Sequence, residues 1–239
     1  MELEFFRTKN NKLLYILAVI IFLCFVLGWI LLVGLDKIAH PTYRQYLHST
    51  YTVFTQFGFI LFSFLFSYTI MKDYNNCNIL FYQLLGDDSL TYFLKKVGVL
   101  TVQALCILTI CLIGVSIIFH DFSAFFQILY IFFIVMVQYI LIISVISLYA
   151  NSTIISVAIA IAFWLTSTTL ITMGGALADV GFFDASNSFY ASVTAYLQSS
   201  DAFLPLIDNL QATLFISILF FTVLIAAFAA KKVWLKHGT

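Results

Sequence analysis

The residues of this chain that could carry chemistry are few, and their spacing supports little of it. Histidine occurs at His40, His48, His120 and His237. Only His40 and His48 share a connection, and a zinc-type site needs a third close ligand, so they read as solvated side chains and no metal site is assigned. Of the cysteines, Cys24, Cys106 and Cys111 fall in apolar runs and Cys77 in a polar connection. A disulfide framework needs an oxidising compartment, and small apolar filler is the plainer reading. No G-x-S-x-G, no H-E-x-x-H and no pair of glutamates near an arginine lies on an apolar run. The phosphate loop G-x-x-x-x-G-K-[ST] is missing too. No catalytic residue is assigned, and energy from ATP would have to enter through another polypeptide.

The elements around these residues belong in a membrane. Of 239 residues, 63% are hydrophobic and 9% charged, with 27 Phe and 13 Tyr; a soluble domain carries about 25% charged residues. Six apolar runs stand out, near 13–35, 51–71, 97–118, 125–149, 154–173 and 211–230. Each approaches the ~20 residues that a helix needs to cross a hydrocarbon core. Runs such as IIFLCFVLGWILLVG are continuously apolar, whereas barrel strands would alternate. The fold class is all-α: a polytopic protein of six membrane helices forming one transmembrane domain over 1–239.

Charge orients it. Arg7, Lys9, Lys12, Lys72, Lys95, Lys96, Lys231, Lys232 and Lys236 lie on one side, Lys37 and Arg44 on the other. The positive-inside rule therefore predicts that both termini are cytosolic. Asp36, Asp121, Asp179, Asp184, Asp201 and Asp208 fall on the outer side. The net charge of zero gives no sign of nucleic-acid binding. The first run is too long for a removable signal peptide, and no A-x-A-like site follows it. Inside the runs there is essentially no ionisable residue away from the ends, only Gln56, Gln103, Gln138 and hydroxyls. Proton coupling through a buried carboxylate is thereby disfavoured, and no 3+3 inverted repeat is visible.

One long cationic interruption remains, KDYNNCNILFYQLLGDDSLTYFLKK over 72–96. Ile79, Leu80, Leu84 and Tyr82 would share a helical face, with Leu85 beside them. Gly86 is a natural stop, and Asp87, Asp88 and Ser89 are cap candidates for the next helix. The loop reads as a short cytosolic helix with an apolar face, seated either on the membrane surface or on a cytosolic protein. The first 12 residues, MELEFFRTKNNK, fit a short interfacial helix.

Two more segments are irregular. Between the last two runs, Phe189, Tyr190, Val193, Tyr196 and Leu197 form a helical stripe that Ser186 or Asn187 can cap, and Pro205 breaks the chain after it. This predicts an outer amphipathic helix, a gate or a simple cover. The fifth run carries Ser156, Thr166, Ser167, Thr168, Thr169 and Thr172. These hydroxyls serve helix packing or, with Gln138, line a translocation path for an amphipathic or hydrophobic cargo.

This arrangement resembles the type-2 ABC exporter permeases, by topology more than by motif. The matching segments are MELEFFRTKNNK, the 72–96 loop and Ser186 to Leu210. The resemblance implies that the loop helix couples to a separate cytosolic ABC ATPase subunit, through Asp73, Ile79, Leu80, Leu84, Leu85 and Gly86. It implies ATP and Mg on that partner, no cofactor in this chain, and a second permease copy, identical or related, within the bacterial cytoplasmic membrane. Many members place a glycine shortly after the acidic residue of this loop, whereas here Asp73 is followed by glycine only at Gly86. The small size is similar to permeases that export antimicrobial or cytolytic peptides, among them lantibiotic-immunity permeases and phenol-soluble modulin exporters. Rival readings are a non-transporting membrane scaffold or sensor, an intramembrane enzyme, and a vitamin-uptake component. An ATPase partner or a tight small-molecule ligand would separate them.

Overall fold

The computed structural model describes residues 12–174, 180–199 and 203–236. The interfacial helix expected in the first 12 residues lies outside them except for Lys12. All regular structure among the described residues is helical, and six helices are long and apolar enough to cross a membrane. The first span is α1 (Leu13–Ile30) with a π-helical end at Leu31–Leu35. The second joins α2 (Tyr43–Val53), a π segment (Phe54–Gly58) and α3 (Phe59–Asn75). After the short α4 (Asn78–Leu84) come α5 (Ser89–Phe119), α6 (Phe125–Tyr149) and α7 (Thr153–Met173), the third to fifth spans. Then follow α8 (Ser188–Gln198), α9 (Leu206–Ala229), which is the sixth span, and α10 (Lys231–Lys236).

Local chemistry sets the helix ends. Thr42 and Gln45 form a reciprocal capping box that opens α2. Asp88, Ser152 and Asn187 each accept a backbone N–H at the start of α5, α7 and α8. Pro205 precedes α9. Two spans start earlier than their apolar runs suggest, at Tyr43 and Leu206 rather than 51 and 211, whereas the third begins at Ser89 behind its Asp88 cap, as the cap candidates predict. Hydropathy misses these turns because their polar side chains have protein partners. Asn209, for example, bonds Gln127 and the Leu204 carbonyl.

The fourth span, α6, is the hub. In its most apolar window 78% of residues are buried, against 17% for α9. Phe25, Phe54, Phe62 and Phe132 pack in contact around it, in edge and tilted arrangements that suit the ring quadrupole. Lipid tails are as apolar as these side chains, so close packing, rather than water exclusion, must hold the helices together.

The crossing of α1 and α2 illustrates it. A Cβ on Gly28 would sit 2.5 Å from Thr50 Oγ1 and 2.8 Å from its Cα. The close approach lets Ser49 Oγ donate to the Gly28 carbonyl at 2.7 Å and Tyr46 OH to Phe25 O at 2.9 Å. Gly28→Val is expected to force the helices apart at a cost of about 1–3 kcal/mol. Thermal unfolding in detergent should register a drop of about 2–4 °C per kcal/mol. Gly114→Ala is the control, because nothing lies within 4 Å of a Cβ there.

Candidate functional site

The α4 loop is built around a buried ion pair. Asp73, at the end of α3, and Lys96, two turns into α5, are 2% and 5% exposed, with Lys96 Nζ 2.6 Å from Asp73 Oδ2. Tyr92 OH donates to the same oxygen at 3.1 Å, and Asn78 Nδ2 donates to Oδ1 at 3.1 Å. The Lys96 ammonium lies 5.8 Å from the ring centres of both Tyr82 and Tyr92. Those rings meet edge to face at 4.9 Å, and Tyr92 also packs against the buried Trp234 of α10. A buried charge pair withstands its desolvation only when its remaining lone pairs and protons are satisfied, and this cluster supplies those partners. One carboxylate thus ties together the second span, the third span and the first turn of α4.

The loop itself has fixed geometry. Cys77 adopts a left-handed conformation to start α4 and Gly86 another to end it. The Asp87 N–H donates to Tyr82 O and the Gly86 N–H to Gln83 O, both at 3.0 Å, the Schellman arrangement in which glycine carries the positive φ. Asp87 then pairs with Lys95 at 2.6 Å. The Thr91 backbone N–H donates to Asp88 at 2.7 Å and holds that carboxyl below its ordinary range. Ser89 Oγ donates to Ala227 O at 2.8 Å, linking the loop to the end of α9.

The faces of α4 depart from expectation by one residue. Ile79, placed by its spacing on the apolar docking face, is fully buried with Tyr82 against the bundle. The exposed apolar face comprises Leu80, Phe81, Leu84 and Leu85, 48%, 52%, 79% and 54% exposed. The four-residue spacing survives, but it starts at Leu80 and includes Phe81, which the sequence reading passed over. The charge pattern by itself marks Lys96 only as a cytosolic residue. It falls on the buried stripe of α5 with Ser89, Tyr92, Phe93, Val97 and Leu100, whereas Lys95 does not. That i, i+4 register is the signal that would have found it.

At the opposite end of the bundle, α8 forms as expected, capped by Asn187. Its stripe faces inward: Phe189, Val193, Tyr196 and Leu197 are buried and Tyr190 is half-buried. Three side chains one turn apart on the second span reach it. Arg44 donates to the carbonyls of Tyr196 and Ser199 at 3.1 and 2.7 Å, satisfying the C-terminal end of α8. His48 meets Thr194 Oγ1 at 3.2 Å, and Thr52 meets Tyr190 OH at 2.7 Å. His48 is thus engaged in a helix contact, and no group of three metal-ligating side chains occurs among the described residues.

The hydroxyl and amide candidates for a path do not form one surface. Ser156 is buried in a serine triad, 2.8 Å from both Ser67 and Ser147, where it joins α3, α6 and α7. Gln138 is buried as well and borders a cavity of about 20 Å³ inside the protomer. Thr166, Thr169 and Thr172 instead lie exposed along α7, each hydroxyl bonded to a carbonyl of its own helix. Gln56, in the π segment of the second span, is also exposed.

With this geometry in place, the chain can be compared with known proteins. A family model described as "Peptide export permease protein YydJ family" matches residues 1–239. The chain belongs to that family. A relative, "Probable peptide export permease protein YydJ" of Bacillus subtilis (strain 168), is 38% identical over 240 residues and covers 100% of both chains. No solved structure matches. Membership in the YydJ family makes this chain a multi-pass bacterial membrane protein and the permease of an ABC-type exporter, a transport component. The clamped α4 loop is therefore a feature of a permease.

Proposed function

We propose that the chain is the membrane subunit of an ATP-driven peptide exporter, and that the exposed face of α4 is where a cytosolic ABC ATPase docks. Two permease copies, identical or related, enclose the path. ATP and Mg bind the ATPase, and this chain contributes no nucleotide site. The observation that carries the reading is the Asp73–Lys96 cluster. It fixes a short helix with four solvent-facing apolar side chains to the ends of two spans, so a push on that face reaches the bundle without slack.

The second span supplies the transmission. Tyr43–Asn75 is continuous, with Asp73 at one end and the Arg44, His48 and Thr52 contacts to α8 at the other. Closure of the ATPases would tilt this span and carry Phe189, Tyr190, Val193, Tyr196 and Leu197 of α8 with it, opening an outer gate. The π segment at Phe54–Gly58 sits between the two ends, and such segments recur at functional sites. Gln56 on it is exposed, and a carboxamide facing hydrocarbon would leave its hydrogen bonds unmade. That favours a face turned toward a hydrated path or the second copy. The cargo is an amphipathic or hydrophobic peptide; the name of the Bacillus subtilis relative supports a peptide.

Purification in mild detergent with a co-expressed cognate ATPase, followed by reconstitution into vesicles, tests the reading. The expected result is a stable complex that moves an amphipathic peptide only when ATP is hydrolysed. A chain that purifies alone and shows no ATP-dependent peptide movement is a scaffold or sensor instead.

A further inference from the structure

The sixth span, α9, is the least buried of the six, yet its cytosolic end is tied down. Tyr149 OH, at the end of α6, donates to the Ala226 carbonyl at 2.6 Å. Ser89 Oγ, on the first residue of α5, donates to the Ala227 carbonyl at 2.8 Å. One residue, Ala230, then joins α9 to α10, and α10 turns Trp234 inward. A tryptophan at a membrane edge ordinarily rests among the headgroups, which suits the exposed Trp29; Trp234 is buried instead. Its ring packs 6.1 Å from that of Tyr92, whose hydroxyl donates to Asp73 at 3.1 Å. We propose that Trp234 is a positioning residue for transport, which braces Tyr92 and so links the sixth span to the α4 clamp. The inference rests on the reading of α4 as the ATPase dock.

A push on α4 moves the spans only so far as the groups between them do not yield. Tyr92 is fully buried and meets Tyr82 at 4.9 Å as well as Trp234. Close-packed interiors transmit strain, whereas a large-to-small change leaves a cavity into which a neighbouring ring can swing. The Asp73–Lys96 pair joins the second and third spans, and the contacts of Ser89 and Trp234 bring in the sixth. Ser89 supplies one hydrogen bond; Trp234 supplies the broad ring contact. Of the six residues of α10, Trp234 is the buried one, while Lys231, Lys232 and Lys236 lie at the surface. The short helix thus turns its bulk toward the clamp and its charge toward water. With Trp234 in place, force entering at α4 reaches the second, third and sixth spans together.

The test reads ATP-driven transport in vesicles and hydrogen exchange on Trp234→Ala, Trp234→Phe and Leu235→Ala. Leu235 lies on the same helix but is exposed, so its variant controls for damage to α10 itself. Trp234→Ala should bind the ATPase with wild-type affinity, because Leu80, Phe81, Leu84 and Leu85 are untouched. Peptide moved per ATP should fall by about 2- to 30-fold, the range for residues that carry coupling without touching either ligand. Amides of 78–86 should exchange faster. Trp234→Phe keeps an aromatic wall and should restore most of both, and Leu235→Ala should match the wild type. Unchanged transport per ATP in Trp234→Ala overturns the proposal, and so does an equal loss in Leu235→Ala. A wild-type chain that binds no ATPase overturns the docking reading instead. Hydrogen exchange needs no ATPase, and in that case unchanged protection of 78–86 in Trp234→Ala overturns the role of Trp234 by itself.

Discussion

Lys96→Met is expected to release α4 from the bundle while leaving the spans inserted. The substitution keeps the aliphatic bulk between Tyr82 and Tyr92 but deprives Asp73, 2% exposed, of its ammonium, while the Tyr92 hydroxyl and the Asn78 amide still donate to it. Removing one member of a buried pair costs about 3–5 kcal/mol, or roughly a 10²–10⁴-fold shift toward an undocked loop. The carboxylate must then turn toward water, which loosens the Asn78 contact that starts α4. Hydrogen exchange is the measurement: amides of 78–86 should lose protection, whereas those of α6 should not. ATPase-driven transport should fall with them. Asp73→Asn combined with Lys96→Met removes both charges, and neutral pairs of similar volume are often as stable as the ions they replace. The double variant should therefore regain most of the protection. If α4 stays protected in Lys96→Met alone, the ion pair does not hold the loop.

Charging the free face of α4 should have the complementary effect. Leu80, Phe81, Leu84 and Leu85 together form an apolar patch on a polar loop, and burial of each side chain is worth about 1.5–3 kcal/mol. Replacing all four with glutamate should leave expression and membrane insertion normal and remove ATPase association and transport, a loss well beyond 10³-fold in affinity. Leu84→Ala alone, at the most exposed of the four, should weaken association measurably. Ile79→Ala should behave differently, because Ile79 is fully buried. It should lower thermal stability by about 2–4 °C for each kcal/mol of lost packing and alter association only through that. Normal co-purification of the ATPase with the quadruple glutamate variant would sink the docking assignment and favour a helix resting on the membrane surface.

The two ends of the second span differed in how far they could be read beforehand. The α4 helix, its Gly86 stop and the Asp88 cap were visible because they follow from local rules: periodicity, positive φ and orphan N–H groups. The stripe of α8 and its Asn187 cap were visible for the same reason. Which way those faces point was not. Tyr82 and Ile79 turn inward because Tyr92, Lys96 and Trp234 stand behind them, residues 10 to 155 positions away. Ser156 and Gln138 looked like path-lining polar groups, yet Ser67, Ser147 and Trp164 come from other helices to enclose them.

Composition and periodicity were enough to determine six membrane helices and a polar loop with its own short helix. These properties depend on the hydropathy and local chemistry of contiguous residues, which a one-dimensional pattern records in full. Tertiary structure alone decided that Asp73 and Lys96 meet, that Lys95 and Lys96 have opposite fates, and that the exposed apolar face of α4 begins at Leu80. A charge at the end of a span can be solvated or paired, and only the helices packed against it determine which. Because a buried pair is so much stiffer than two solvated charges, that choice separates a loose loop from one able to pass force into the membrane.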